Sequence, residues 1–312
     1  MTRILLTGCS GYIGSRIAIR IKQAGLELIA TARNSNPALE QELSVSIMSI
    51  DVLKPISIER DNDRIDTIIH CATANDILSR NFEASVNLTI YGTRNVLEFA
   101  LKHGIKRVIF FSTLQVYGTE LNGEISEDTP VCCQTGYSLN HYYGEELCRM
   151  YTRKGDLDIV LLRPSNVFGV PDVSTVNRDS LVPMCFVKEI LRTGKLTLNS
   201  SGRQQRNFIS TNEVADMCLY LINNFPNGCN VVNLGSNWLC SIREVAEITE
   251  KIYLAKYQKN LHLNILSDEP KTSNYFSIKS KIQSLRPTTH ESRQSMADVI
   301  ANLFDTFNYE RV

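Results

Sequence analysis

Two hydroxyl-bearing residues and a histidine stand where they could move a proton. Thr113 closely follows the apolar run Val108–Phe111, which is typical of a buried strand. Tyr137 opens a helix-like segment, and His141 follows four residues later, so both lie on one helix face. A tyrosine that exchanges a proton with a substrate oxygen needs a neighbouring hydroxyl and a group that lowers its pKa. Thr113, Tyr137 and His141 are therefore candidate catalytic residues. Taken singly, Thr113 also fits a strand-end cap and Tyr137 a half-buried aromatic.

Three glycines, Gly8, Gly11 and Gly14, lie between a short apolar strand, Ile4–Leu6, and a helix-like segment, Ser15–Gln23. The first glycine allows a tight turn, the second lets the backbone approach phosphates, and the third lets helix and strand pack closely. A helix N-terminus also binds phosphate through its free N–H groups. The stretch predicts a dinucleotide site; the alternative is a turn of similar shape that binds nothing.

Apolar strands and helices must alternate to position these residues. The predicted strands are Ile4–Leu6, Leu28–Thr31, Val45–Ile50, Thr67–His70, Val108–Phe111 and Ile159–Leu162. The predicted helices are Ser15–Gln23, Phe82–His103 and Tyr137–Arg153. Continuous apolar strands between helices favour an α/β fold with a doubly wound, Rossmann-like parallel sheet. After Pro164 the predicted loops lengthen and the elements become irregular. We therefore expect a dinucleotide-binding domain over 1–163 and a mostly substrate-binding region, interleaved with it, over 164–312.

The charge balance and the cysteine pattern exclude several classes of function. The 312 residues include 33 basic and 33 acidic ones, so no basic field is present that would attract nucleic acid or anionic lipid. The apolar runs are too short to span a bilayer. No signal peptide is predicted at the start of the chain. The nine cysteines form no CxxC pair, which favours reduced thiols in a cytoplasmic protein over disulfides or a metal site.

Several motifs, in this order and spacing, resemble those of the extended short-chain dehydrogenases/reductases that act on nucleotide sugars as epimerases, dehydratases and reductases. The motifs are Thr7-Gly8-Cys9-Ser10-Gly11-Tyr12-Ile13-Gly14, Asp51-Val52, His70-Cys71-Ala72-Thr73, Asn87 with Gly92–Leu97, Ser112-Thr113 through Val116-Tyr117-Gly118, Arg163–Gly169, Arg206–Ile209 and Asn233–Ser236. The resemblance covers most of the chain.

The resemblance implies roles for individual positions. It implies cofactor contacts at Gly8, Gly11, Tyr12, Ile13, Gly14, Asp51, Val52, Cys71, Ala72, Thr73, Asn87, Tyr137 and His141. It implies that Thr113 and Tyr137 orient and protonate, or deprotonate, a sugar oxygen. Asn166 and Arg206, together with Thr113, would bind the sugar nucleotide. It also implies a homodimer formed through the helices Phe82–His103 and Tyr137–Arg153.

His141 departs from the family's pattern, because a lysine stands at that position in the YxxxK motif. The lysine holds the nicotinamide ribose and lowers the tyrosine pKa through its positive charge. A neutral imidazole would retain one hydrogen bond without the charge, whereas an imidazolium would supply both. The sequence leaves both forms open, and it also leaves open a site adapted to binding without turnover.

A second departure concerns the cofactor. NAD-preferring relatives place an acidic residue at the end of the second strand, where it meets the ribose 2′-hydroxyl. This chain has Arg33 there, which could meet a 2′-phosphate or could be a solvated loop residue. We therefore expect NADP, with NAD the less favoured cofactor.

A third departure narrows the reaction. The family's 4,6-dehydratases carry Asp-Glu after the active-site threonine, whereas Leu114 and Gln115 follow Thr113 here. Dehydration is therefore disfavoured, which leaves reduction of a ketone or epimerisation, with Arg33 favouring reduction. Two alternatives are a non-catalytic cofactor-binding sensor or scaffold and a reductase of a non-nucleotide ketone or aldehyde.

Overall fold

The structure is a computed structural model. It describes residues 2–58, 64–155, 157–173, 176, 178–267, 274–282 and 292–309.

A parallel sheet of seven strands forms the centre of the protein. Its strands are β1 (Arg3–Thr7), β2 (Glu27–Ala32), β3 (Met48–Ser49), β4 (Thr67–His70), β5 (Arg107–Phe111), β7 (Asp158–Pro164) and β11 (Cys229–Leu234). They lie in the order β11-β7-β5-β4-β1-β2-β3, and each neighbouring pair is parallel. The carboxyl ends of β1, β4, β5 and β7 therefore meet at one edge, where open α/β sheets bind their ligands.

The apolar strands are buried on both faces, which explains why their sequences lack a polar alternation. Ile4 and Leu6 of β1 belong to one hydrophobic core, and Leu5 between them belongs to the other. On β5, Ile109 belongs to the same core as Ile4, and Val108 belongs to the same core as Leu5. The predicted doubly wound sheet is confirmed.

Helices cover both faces of the sheet. They are α1 (Tyr12–Gln23), α2 (Pro37–Leu43), α3 (Phe82–Val86), α4 (Gly92–Lys102), α5 (Gly136–Lys154), α6 (Met184–Thr193), α7 (Thr211–Asn223), α8 (Ile242–Tyr257) and α9 (Ser292–Tyr309). The predicted helix Phe82–His103 is α3 and α4 joined by a π-helical turn, Asn87–Tyr91. None of the helices in the described part of the chain is long and apolar enough to cross a membrane.

Smaller sheets are built around the carboxyl edge. The remaining strands are β6 (Gly123–Ile125), β8 (Asn166–Phe168), β9 (Lys195–Leu198), β10 (Gln205–Ser210), β12 (Leu239–Ser241), β13 (His262–Ile265) and β14 (Phe276–Ile278). Strands β8, β10 and β12 form one sheet, and β13 pairs with β9 and β14 with β6. Because β11 returns to the central sheet, residues beyond 164 contribute to both parts of the molecule.

The predicted strand Val45–Ile50 is too long. Only Met48 and Ser49 pair, with Thr31 and Ala32 at the end of β2. This strand lies at the edge of the sheet and β2 ends at Ala32, so the pairing ends with the Ile50 N–H, which donates to the Ala32 carbonyl oxygen at 2.9 Å.

Candidate active site

The glycine turn joins β1 to α1 at the carboxyl edge of the sheet. Gly8 has a φ of 71°, which favours glycine, and a Cβ there would lie 2.9 Å from the Ala72 nitrogen. A Cβ on Gly14 would clash with the Gly8 carbonyl oxygen. Helix α1 begins at Tyr12 with no side-chain cap on Gly11 and no acidic residue in its first turn. Its N-terminal N–H groups are therefore free of side-chain caps, as a phosphate site requires.

The buried His70 holds the residue before this turn through hydrogen bonds. His70 Nδ1 lies 2.7 Å from the Thr7 hydroxyl, and its Nε2 lies 3.1 Å from the Thr93 hydroxyl. The Thr93 hydroxyl donates to the Thr89 carbonyl, so it accepts from Nε2–H, and Nδ1 accepts from Thr7. Burial lowers the pKa of His70 to about 3, which keeps the ring neutral in this arrangement. His70 thus fixes Thr7, the residue before Gly8.

The structure brings several other predicted cofactor residues around this turn. Cys71 and Ala72 lie against Gly8, and the Thr73 N–H donates to the Cys71 carbonyl oxygen at 2.9 Å. The Tyr12 hydroxyl donates to the Gly169 carbonyl oxygen at 2.9 Å, so its side chain ties α1 to the segment after β8. Ile13, which the sequence also predicts to contact the cofactor, is partly buried against the hydrophobic core that includes Ile17 of α1.

The remaining predicted cofactor residues follow β2, β3 and α3. Arg33 is exposed just after β2, and Asp51 and Val52 follow β3. The Val52 carbonyl oxygen accepts from Asn95 Nδ2 at 2.8 Å, which fixes this segment to α4. Asn87 opens the π-helical turn, a local geometry that is frequent at functional sites.

Thr113 and Tyr137 are brought together at the end of β5. Thr113 Oγ1 accepts from the Gln115 N–H at 3.2 Å, so Thr113 is also the strand-end cap considered above. Helix α5 begins at Gly136 because Thr135 and Ser138 form a capping box, which places Tyr137 in its first turn. Burial raises the pKa of Tyr137, and its hydrogen bond with Thr113 opposes that shift. Thr113 therefore lies close enough to Tyr137 to favour its ionised form.

His141 is buried and neutral. Its Nε2 lies 3.1 Å from the Ala74 carbonyl oxygen, so Nε2 carries the proton. Burial lowers its pKa to about 4, and the backbone of Ala74 and Phe111 and the Glu145 carboxylate oppose this only in part. Burial therefore favours the neutral imidazole over the imidazolium near neutral pH, because a ring that is three per cent exposed has little water to solvate a charge. Nδ1 has no hydrogen-bond partner within the described residues.

A cavity of about 710 Å³ opens beside Thr113. Asn166 and Arg206 line it as well, so the three predicted substrate residues share one cavity. Asn166 Nδ2 donates to the Asn207 carbonyl oxygen at 2.9 Å, which links β8 to β10. Burial lowers the pKa of Arg206, and the Glu120 carboxylate, also on the cavity wall, opposes this.

A buried ion pair that the sequence did not predict lies behind Thr113. Arg163 Nε and Nη2 donate to the two Glu145 carboxylate oxygens at 2.8 and 2.5 Å. Ser112, next to Thr113, donates to the same carboxylate at 2.6 Å, and Arg163 Nη1 donates to Tyr117 at 2.6 Å. The network joins β7 to α5, which carries Tyr137 and His141, and to the end of β5 beside Thr113.

The features fit a bound nicotinamide dinucleotide. The glycines let the turn pack tightly against Ala72 and against itself, and α1 offers uncapped N–H groups that a pyrophosphate could accept. The lone pair of His141 Nδ1 is a buried acceptor that would suit a ribose hydroxyl.

Comparison with known proteins identifies the family. A model of the NAD dependent epimerase/dehydratase family matches residues 4–235, well over half of the chain. The chain belongs to this family. The sequence-based prediction of an extended short-chain dehydrogenase/reductase, and of an NAD(P)-dependent enzyme in this nucleotide-sugar group, is confirmed.

Individual members of the NAD dependent epimerase/dehydratase family are similar over most of the chain. A putative UDP-glucose 4-epimerase of Methanocaldococcus jannaschii is 25% identical over 88% of this chain and 88% of that protein. A dTDP-4-dehydro-6-deoxy-D-allose reductase of Streptomyces bikiniensis is 25% identical over 70% and 72%. The UDP-glucuronic acid 4-epimerase of Bacillus cereus, solved with NAD, has a TM-score of 0.78 at 22% identity and covers 97% and 96%. That likeness shows the fold.

Proposed function

We propose that this family member is an NADP-dependent reductase or epimerase that transfers hydride to or from a nucleotide-activated sugar. One observation carries the proposal. Thr113 lines the same cavity as Asn166 and Arg206, and it lies close enough to Tyr137 to lower the pKa of that phenol. A sugar oxygen beside Thr113 would thus be within reach of a proton donor, with the nucleotide extending toward Arg206.

Each residue has a separate task in this reaction. When a dinucleotide is bound, its nicotinamide would supply or accept the hydride. Thr113 aligns the reacting oxygen, and Tyr137 gives it a proton during reduction or takes one during oxidation. Arg206 pairs with the diphosphate, because a guanidinium matches phosphate oxygens in a bidentate geometry. His141 contributes a hydrogen-bond acceptor without charge.

Arg33 supports NADP over NAD. It is exposed after β2, where the family recognises the adenosine ribose. No carboxylate stands between Ala30 and Asn34 to repel a 2′-phosphate. The solved relative named above contains NAD, and calorimetry with NADPH and NADH measures the preference of this chain.

Reduction is favoured over epimerisation, and dehydration is disfavoured because Leu114 and Gln115 line the cavity after Thr113. An epimerase retains its dinucleotide through each turnover, whereas a reductase exchanges it. Native mass spectrometry of the purified protein distinguishes them. A retained NAD(H) or NADP(H) supports epimerisation, and a protein without a retained dinucleotide supports reduction.

The neutral His141 favours one alternative, a cofactor-binding protein of this fold without turnover. Turnover of a keto-sugar nucleotide would exclude it. The other alternative, reduction of a small ketone or aldehyde, is opposed by Arg206 on the cavity wall. Activity that is unchanged when the nucleotide is removed from the substrate would favour that alternative.

The proposal includes a cytoplasmic homodimer. Three aromatic side chains are exposed on the two helical segments expected at the dimer interface: Phe82 at 63%, Tyr91 at 53% and Tyr143 at 45%. Burial of such side chains stabilises protein contacts. Light scattering during size-exclusion chromatography should give twice the mass of the chain, and Phe82→Glu with Tyr143→Glu should give the monomer mass.

A further inference from the structure

The central sheet reverses its strand order between β1 and β4. Strands β1, β2 and β3 follow one another to one side of this point, and β4, β5, β7 and β11 to the other. Open α/β sheets bind dinucleotides in the crevice at such a point, between the segments that follow the two strands. Helix α1 follows β1 and packs in one core through Ile17, whereas α5, which contacts the segment after β4, packs in the other through Cys148. A segment attached both to α1 and to the residues after β4 therefore bridges this crevice.

The segment after β8 is attached to the α1 side of the crevice. The Asp172 carboxylate accepts from the Ser15 hydroxyl at 3.1 Å and lies 2.5 Å from Arg16 Nη2. The Asp172 side chain is only 6% exposed. The Tyr12 hydroxyl adds its hydrogen bond to the Gly169 carbonyl oxygen. All three of these α1 residues lie in the first five positions of the helix, whose N-terminus is the expected pyrophosphate site.

The same segment is attached to the β4 side farther along the chain. Arg178 Nη2 lies 2.8 Å from Asp76 Oδ1, and the Ser180 hydroxyl donates to Asp76 Oδ2 at 3.2 Å. Asp76 comes two residues after Ala74, whose carbonyl oxygen accepts from His141. This second attachment therefore lies beside the residue expected at the nicotinamide ribose.

We propose that residues 169–173 and 178–180 act as a strap that bridges the crevice and limits the exchange of the dinucleotide. The inference rests on the proposed use of a dinucleotide cofactor. The ion pairs of Asp172 with Arg16 and of Asp76 with Arg178 are the two anchors of the strap. Both arginine side chains reach water, at 23% and 17% exposure, so the anchors can open locally while the apolar cores stay packed.

The exchange kinetics of NADPH test the strap in the full chain. Stopped-flow fluorescence measures the association rate of NADPH and its dissociation rate into excess NADP⁺; NADH and NAD⁺ replace them if the parent protein binds NADH more tightly. Asp172→Asn and Arg178→Gln each open one anchor, and the double variant opens both. Asp179→Asn is the matched control, because its carboxylate lies on the same segment but pairs with Lys188 of α6 at 2.6 Å. Thermal unfolding verifies that each variant is folded.

Each anchor variant should raise both the association and the dissociation rate about tenfold, which corresponds to a change of about 1.4 kcal/mol in the opening of the strap. The double variant should be faster still, and Asp179→Asn should keep the parental rates. The dissociation constant should change less than either rate, because a strap that hinders exit also hinders entry.

Parental rates in both anchor variants would overturn the inference. Faster dissociation with an unchanged association rate, or an equal acceleration in the control, would overturn it as well. The measurement uses no sugar nucleotide, so it can fail while turnover of that substrate is demonstrated, and it can succeed if the proposed substrate is wrong.

Discussion

The rings of Tyr137 and His141 meet edge to face, with centroids 4.6 Å apart and planes at 66°. A lysine side chain in place of His141 would put a charge near the phenol, whereas this imidazole packs against it without charge. The contact explains how a family site can keep its tyrosine while the adjacent cation is missing.

Tyr137→Phe should abolish turnover and leave dinucleotide binding nearly unchanged, because only the exchangeable proton is lost. The expected fall in kcat is on the order of 10²-fold or more, the usual scale of general acid catalysis. Steady-state kinetics and calorimetry measure the two quantities. Tyr220→Phe, at a partly exposed position on α7, is the control. A Phe variant with parental kcat would mean that another group donates the proton.

The buried His141 should make the protein less stable in acid. Its pKa is about 4 when folded, below the unfolded value of roughly 6.5, so protons bind more tightly to the unfolded chain. Its contribution is complete above the unfolded pKa and is lost as the pH falls from about 6.5 toward 4. At pH 5 the loss is about 2 kcal/mol, given roughly 1.4 kcal/mol per pH unit.

Urea unfolding at pH 7.5 and pH 5 measures this loss. His141→Gln keeps a donor for Ala74 and should lose about 2 kcal/mol less than the parent between the two pH values. His103→Gln, at an exposed position, is the matched control. Equal losses in the parent and in His141→Gln would show that the histidine is not buried as described.

Glu145→Gln should destabilise the fold, because it leaves the Arg163 guanidinium buried without its carboxylate. Removing one partner of a buried pair costs about 3–5 kcal/mol. Unfolding in urea measures this loss of stability, with Glu146→Gln as the control. Glu146 lies next to Glu145 and pairs with Arg149 at a carboxylate that is 44% exposed, so its loss should cost under about 1 kcal/mol. Similar effects for the two variants would contradict the buried network.

Arg33→Ala should narrow the preference for NADPH over NADH by roughly 1–3 kcal/mol, the scale of a charge-assisted hydrogen bond. Calorimetry with both dinucleotides measures the difference, and Lys251→Ala on the exposed side of α8 is the control. If NADH binds the parent protein as tightly as NADPH, Arg33 does not recognise a 2′-phosphate.

The sequence was sufficient for the features that depend on local motifs. The glycine turn, the end of β5 and the start of α5 each follow from a few neighbouring residues, so Gly8, Thr113 and Tyr137 could be located in advance. The charge state of His141 could not be predicted in this way, because the Ala74 carbonyl oxygen that accepts its hydrogen bond lies 67 residues away in the chain.

The most direct test of the proposed function follows the hydride itself. The purified protein is incubated with NADPH that carries deuterium at the transferable C4 position and with a panel of UDP- and dTDP-linked 4-keto sugars. Mass spectrometry then examines each sugar nucleotide, with Tyr137→Phe as the parallel sample. The account predicts that at least one sugar nucleotide gains deuterium with the parent protein and none does with Tyr137→Phe. A parent protein that binds the dinucleotide but transfers deuterium to none of these sugars would contradict it.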